Sequence, residues 1–122
     1  MEELTLSILV RNSSGVLTRV SSLFARRGYN IDSLTVGPTN NPEISRMTVV
    51  AQGDQRILEQ IEKQLRKLED VIEIFELPRS SSVYRELVLV KVESNASTRA
   101  DIVSIVDIFR AKIVDVSPDS MV

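Results

Sequence analysis

A turn of small polar residues and one glycine joins the first alternating apolar run of the chain to its first helical run. This turn is Asn12-Ser13-Ser14-Gly15, and Val16 and Leu17 follow it at the predicted helix start. Backbone N–H groups at a helix start lack partners within the helix and carry the positive end of its dipole, so they stabilise a small carboxylate without a basic side chain. The asparagine and the two serines of the turn can instead accept from the same N–H groups. The spacing therefore predicts either an anion site or a helix cap.

The composition excludes much of enzyme chemistry. The chain has 122 residues, of which 43% are hydrophobic, and it contains no cysteine and no histidine. Disulfides, thiolate nucleophiles, imidazole bases and the usual zinc sites are therefore excluded. The remaining candidates are serines without a histidine partner and the carboxylates Glu59, Glu62 and Glu69, which have the spacing of a solvated helix face. We predict no catalytic residue and no metal site.

The charge pattern argues against nucleic acid and membrane as partners. The formal net charge is −2, so there is no global attraction to phosphate backbones or to anionic lipid. No apolar run approaches the roughly 20 residues that a membrane span requires. The chain starts with Met1-Glu2-Glu3, which is acidic where a signal peptide is basic. We therefore expect a cytoplasmic protein.

The hydrophobic period in residues 1–78 switches regularly between that of a strand and that of a helix. The resulting order is strand, helix, strand, strand, helix, strand, which is the ferredoxin-like βαββαβ pattern of an α+β fold. Such a domain has an antiparallel sheet with both helices on one face. The predicted elements are a strand at 4–10, a helix from 16 that a left-handed Gly28 ends, strands at 31–36 and 44–51, a helix capped by Asp54 whose stripe reaches Leu68, and a strand at 71–77.

The pattern begins again after a polar linker at residues 78–82. Residues 84–122 are predicted to form a second, incomplete ferredoxin-like βαβ unit, with strands at 85–92 and 112–116. Its helix is predicted to start at 95–98 and to carry a stripe of Ile102, Val103, Val106 and Phe109. The run 24–27 is echoed by 109–112, which indicates an internal repeat. A unit of this size buries too little apolar surface to be secure alone, so we expect that the chain is a truncated form of a longer one; the alternative is that another chain completes the unit.

Several longer runs resemble one known family. They are residues 12–17, 23–36, 45–48 and 58–65, of which Arg27-Gly28-Tyr29-Asn30-Ile31 followed by Ser33-Leu34-Thr35-Val36 is the most specific. Together they resemble the regulatory small subunit family of acetolactate synthase, also called acetohydroxyacid synthase, whose N-terminal part is an ACT domain. Residues 85–92 and 108–116 resemble the start of the family's C-terminal domain, which continues for several tens of residues more in the family.

The resemblance implies a non-catalytic regulatory subunit of a transferase. Members of the family bind the large subunit, which carries thiamine diphosphate, Mg²⁺ and usually FAD, and they raise its activity. They also make it sensitive to feedback inhibition by valine or a related branched-chain amino acid. No cofactor is therefore expected in this chain. Its expected partners are the large catalytic subunit, a second copy of itself paired through the ACT domain, and the small amino-acid effector.

The family's effector sites lie where two ACT domains join their sheets. By similarity, each site is lined by Asn12, Gly15, Val16 and Leu17 of one chain and by Asn30 and Ile31 of its neighbour. The amides from Gly15 onward can receive the carboxylate, and the lack of a Cβ at Gly15 allows close approach. An asparagine carboxamide oxygen can accept from the effector's ammonium group. The alternatives are a turn role for Asn30, partial core packing for Val16 and Leu17, and plain strand packing for Ile31.

Three other functions can be compared with the pattern, and the first fits it better than the other two. A stand-alone ACT-domain amino-acid sensor that acts on another enzyme shares all the features of the first domain. RNA-binding modules share the strand and helix order, but they stack bases on aromatic side chains of the central strands, and the runs 4–10 and 44–51 contain none. An independent enzyme requires an acid–base pair or an activated nucleophile that the composition does not supply.

Overall fold

The computed structural model describes residues 2–122 as two compact units. The first ends at Tyr84 and the second spans Arg85–Val122. The elements of the first unit are β1 (Glu2–Arg11), α1 (Val16–Arg26), β2 (Ile31–Pro38), β3 (Ile44–Gly53), α2 (Gln55–Leu65) and β4 (Val71–Glu76). The predicted βαββαβ order is confirmed.

The strands of the first unit form one antiparallel four-stranded sheet in the order β2-β3-β1-β4. Alternation along β1 places Leu6 and Ile8 on one face, where their relative exposures are 1% and 0%. The buried stripes of both helices belong to the same core cluster, which includes Phe24 of α1 and Leu58 of α2. Both helices therefore pack on that face of the sheet, as the α+β prediction requires.

The end of α1 and the start of α2 lie where the sequence predicts them. Gly28 adopts φ 71° just after α1, and its N–H donates to the Ala25 carbonyl at 3.1 Å. This left-handed conformation costs glycine nothing, because glycine has no Cβ. Asp54 caps α2, since its Oδ1 accepts from the Ile57 N–H at 3.0 Å. Leu68 lies beyond the end of α2 but packs against the core.

The second unit contains less regular structure than the sequence predicts. Its elements are β5 (Val92–Glu93), α3 (Arg99–Ile108) and β6 (Ser120–Met121), and β5 pairs with β6 in an antiparallel ladder. Asn95 prepares the start of α3, because its Oδ1 accepts from the N–H groups of Ser97 at 2.9 Å and Thr98 at 3.1 Å. The predicted helix start is therefore confirmed.

The predicted strands at 85–92 and 112–116 are wrong. Only Val92 of the first run and an isolated bridge from Val116 to Met121 carry strand pairing. A strand needs a hydrogen-bonded neighbour, and within the described residues the run 87–90 has none. Its side chains are not packed either, since Leu87 is 92% exposed. The internal repeat is not reproduced in packing either, because Phe24 is 0% exposed whereas Phe109 is 78% exposed. Within residues 2–122, no helix has the length and apolar character that a membrane span requires.

Candidate functional site

The start of α1 is open rather than capped. Gly15 occupies the N-cap position with φ 84° and ψ −10°, a left-handed conformation that favours glycine. Among residues 2–122, no side chain hydrogen-bonds to this helix start. The first-turn N–H groups, which begin at Val16, therefore keep their capacity to bind an anion. The helix-cap interpretation of the turn is wrong.

Asn12 braces the turn and keeps an acceptor free. Its backbone N–H donates to the Glu43 carbonyl at 2.8 Å, and its Nδ2 donates to the Pro42 carbonyl at 2.8 Å. Its Oδ1 accepts no hydrogen bond from the residues that the structure describes. An open pocket of about 610 Å³ runs along Asn12, Ser13 and Asp70. The carboxamide is thus fixed in place with its oxygen available for a donor such as an ammonium group.

Val16 and Leu17 differ in their surroundings. Val16 is 3% exposed and belongs to the core, whereas Leu17 is 45% exposed at the helix start. The alternative role of core packing therefore holds for the Val16 side chain. The backbone N–H of Val16 still lies at the open end of α1, where it can bind an anion. Leu17 offers an apolar surface beside the same N–H groups.

Asn30 and Ile31 lie at the opposite end of α1 from Asn12 and Gly15. The 11 residues of α1 separate the two groups by about 16 Å at the usual rise of an α-helix. Asn30 donates through Nδ2 to Asp32 Oδ1 at 2.7 Å, and Ile31 is a half-buried residue packed against the core. One chain therefore does not bring the six predicted residues together.

Arg19 and Asp70 belong to the environment of Gly15, although the sequence analysis does not include them. Arg19 donates from Nε to Asp70 Oδ2 at 2.7 Å, and its Nη2 lies 2.6 Å from the same oxygen. A Cβ on Gly15 would lie 3.0 Å from Arg19 Nη1, so the guanidinium covers the glycine. The spacing of four residues along a helix predicts that Arg19 can reach Gly15. No local pattern indicates Asp70, which is 51 positions from Arg19.

Sequence comparison links both units to one family. Residues 6–73 match the family described as the AHAS small subunit-like ACT domain, AHAS being acetohydroxyacid synthase. Residues 85–122 match the family described as the small subunit of acetolactate synthase.

Individual relatives agree with these matches. The chain is 52% identical to the acetolactate synthase small subunit of Mycobacterium avium, with 96% of this chain and 70% of the relative covered. It is 50% identical to the acetolactate synthase isozyme 3 small subunit of Escherichia coli, with 93% of this chain and 69% of the relative covered. The crystal structure of the acetolactate synthase small subunit from Thermotoga maritima superposes with a TM-score of 0.84 at 35% identity, covering 99% of this chain and 76% of that chain.

The βαββαβ sheet with its open glycine turn defines an ACT domain. An ACT domain of GTP pyrophosphokinase from Chlorobium tepidum shares the fold with a TM-score of 0.57 at 14% identity, covering 70% of this chain and 92% of that chain. The chain belongs to the family of acetolactate synthase small subunits, and the resemblance found in the sequence is confirmed. A small subunit implies a large catalytic subunit as its partner.

Proposed function

We propose that this chain is the non-catalytic regulatory subunit of an acetolactate synthase. It raises the activity of the large subunit and makes that subunit sensitive to feedback inhibition by valine or a related branched-chain amino acid. Catalysis, with thiamine diphosphate, Mg²⁺ and usually FAD, belongs to the large subunit. Membership of the small-subunit family carries this proposal, and the uncapped start of α1 at Gly15 supports the effector site.

The effector is held through its carboxylate, its ammonium group and its side chain. The N–H groups of the first turn of α1 receive the carboxylate, because they are unpaired and carry the positive end of the helix dipole. Asn12 Oδ1 accepts from the ammonium group, and the exposed Leu17 side chain contributes to the apolar wall. Valine, leucine and isoleucine differ by at most a methylene or its position, which is worth only about 1–3 kcal/mol in such a wall.

The sheet has two open edges, β2 and β4, and pairing of two copies through β2 completes the site. Pro38 pairs with Ser45, and Ser45 pairs with Val10, so the end of β2 lies where β1 leads into the turn that contains Gly15. In an antiparallel β2–β2 pair, the first residue of one strand lies opposite the last residue of the other. Ile31 of one protomer, with Asn30 before it, therefore comes to the Gly15 end of its partner.

Two apolar side chains on the β2 edge favour this pairing. Leu34 and Val36 are 36% and 49% exposed, although they pair with the buried Val49 and Met47 of β3. A second β2 strand would continue the same face and cover them. The β4 edge lies three strands away from β2, or about 14 Å at the usual strand spacing. Pairing through β4 leaves Asn30 far from the partner's Gly15.

An effector that bridges two protomers stabilises one arrangement of the dimer relative to another. The large subunit responds if its own contacts differ between the two arrangements, because only differential affinity transmits a signal. Reconstitution of the cognate large subunit with and without this chain tests the proposal. We expect acetolactate production from pyruvate to rise on addition of the chain and to fall again when valine is added. If the chain binds valine but leaves the large subunit's activity unchanged, it is an amino-acid sensor for another enzyme and the proposal is wrong.

A further inference from the structure

The three heavy atoms nearest to a Cβ built on Gly15 all belong to the guanidinium group of Arg19. Its Nε and Nη2 are both directed to Asp70 Oδ2, at 2.7 and 2.6 Å. The third nitrogen, Nη1, has no hydrogen-bond partner among the described residues and lies beside Gly15, 3.0 Å from where a Cβ would be. One guanidinium nitrogen is thus left with free N–H donors at the open start of α1.

We propose that Arg19 binds the carboxylate of the effector through Nη1, together with the first-turn N–H groups of α1, and that Asp70 is the residue that positions it. This inference rests on the proposed function, since it assigns a further ligand to the same effector site. A guanidinium provides a charge-assisted hydrogen bond, which is roughly twice as strong as a neutral one. Gly15 has a second role here, because any Cβ would displace the guanidinium as well as strain the backbone.

Asp70 is suited to hold Arg19 in place. Its backbone carbonyl accepts from the Arg11 N–H at 2.9 Å, which ties the start of β4 to the end of β1. Its side chain is only 19% exposed, whereas that of Arg19 is 49% exposed. The carboxylate also opposes the effector electrostatically, because it neutralises part of the charge that attracts the effector. The neighbouring pair of Arg11 and Glu69, at 3.9 Å, is exposed and adds no net charge.

These two roles of Asp70 predict that replacing Arg19 and replacing Asp70 change the affinity for valine in opposite directions. Arg19→Gln removes the cation and should weaken valine binding about tenfold or more. Asp70→Asn keeps an oxygen that accepts from Arg19 but removes the opposing charge, so it should tighten binding about two- to tenfold. The gain should shrink as salt is added, because the groups are partly exposed. If the ion pair only braced the fold, both variants would weaken binding.

Calorimetric titration of the full chain with L-valine tests the proposal, with circular dichroism to check that each variant is folded. Arg26→Gln is the matched control, because Arg26 is an exposed cation on the same helix and its removal changes the net charge equally. We expect this control to bind within about twofold of the wild type. Equal affinities for Arg19→Gln and Arg26→Gln, or weaker binding by Asp70→Asn, would overturn the proposal. The proposed effector site would still stand in that case, provided that the wild type binds valine and Gly15→Asp binds it far more weakly. A wild type that binds no branched-chain amino acid would overturn both the role of Arg19 and the proposed effector site.

Discussion

Replacement of Gly15 by aspartate should weaken effector binding strongly while the fold persists. Gly15 has φ 84°, where an L-residue is strained, and the strain costs about 1 kcal/mol or somewhat more. The nearest group to an added Cβ is Arg19 Nη1, the far end of a flexible side chain that can move away. A carboxylate at a helix start regains about 0.3–1 kcal/mol through the dipole. The free energy of unfolding should therefore fall by only about 1 kcal/mol.

The effect on the effector is much larger because two carboxylates would meet. At a separation of about 4 Å, their repulsion is about 1 kcal/mol in water and about 4 kcal/mol at the effective dielectric of a protein surface. Affinity for valine should therefore fall by about fivefold to about a thousandfold from charge alone. Pairing of the new carboxylate with Arg19 would add to the loss, since it removes the cation from the site.

The Gly15→Asn variant distinguishes the effect of the added charge on valine binding from the effect of the added side-chain volume. Asparagine has the shape of aspartate and tolerates the left-handed conformation, but it carries no charge. Calorimetry with L-valine should show weaker binding by the aspartate variant than by the asparagine variant, and urea unfolding should show both folded. Equal affinities for the two variants would refute the reasoning that this position receives a carboxylate.

Three further predictions concern the proposed dimer edge, a helix cap and the core. Val36→Glu should convert the proposed dimer to monomers, because pairing through β2 would place a carboxylate from each copy in the interface. Light scattering that still gives a dimer mass would contradict β2 pairing. Asp54→Ala should lower the free energy of unfolding by about 1 kcal/mol in urea titration, because the Ile57 N–H loses its acceptor. Leu58→Ala should cost about 2–5 kcal/mol by the same assay, whereas Leu87→Ala at a 92% exposed position should cost less than about 0.5 kcal/mol.

The fold of the first unit could be predicted because its signals are local. Asp54 and Gly28 mark the ends of helices through their own side-chain and backbone chemistry. Alternation along β1 and the helical stripes reveal which residues face the core. The turn at residues 12–15 is also a local signal: its glycine fits the left-handed, uncapped start of α1, and the anion site at this helix start stays a prediction.

The remaining features depend on distant residues. The apolar run at 87–90 has the composition of a strand, but strand formation requires a neighbour, and the described residues provide none. The Arg19–Asp70 pair joins positions 51 apart, so only the folded chain reveals it. Asn30 is separated from Gly15 by the length of α1, so its proposed role in the effector site requires a second copy of the chain.

Mixing of two binding-defective variants tests most directly whether the chain forms an effector site between two copies. Gly15→Asp damages the α1 side of each site, and Asn30→Lys damages the side that the neighbouring chain supplies by adding a larger, charged side chain. Each variant alone should bind valine far more weakly than the wild type. Co-expression should restore about one quarter of the sites, because about half of the dimers are mixed and each mixed dimer has one undamaged site. Absence of any recovery in dimers shown to be mixed would contradict a site shared between protomers.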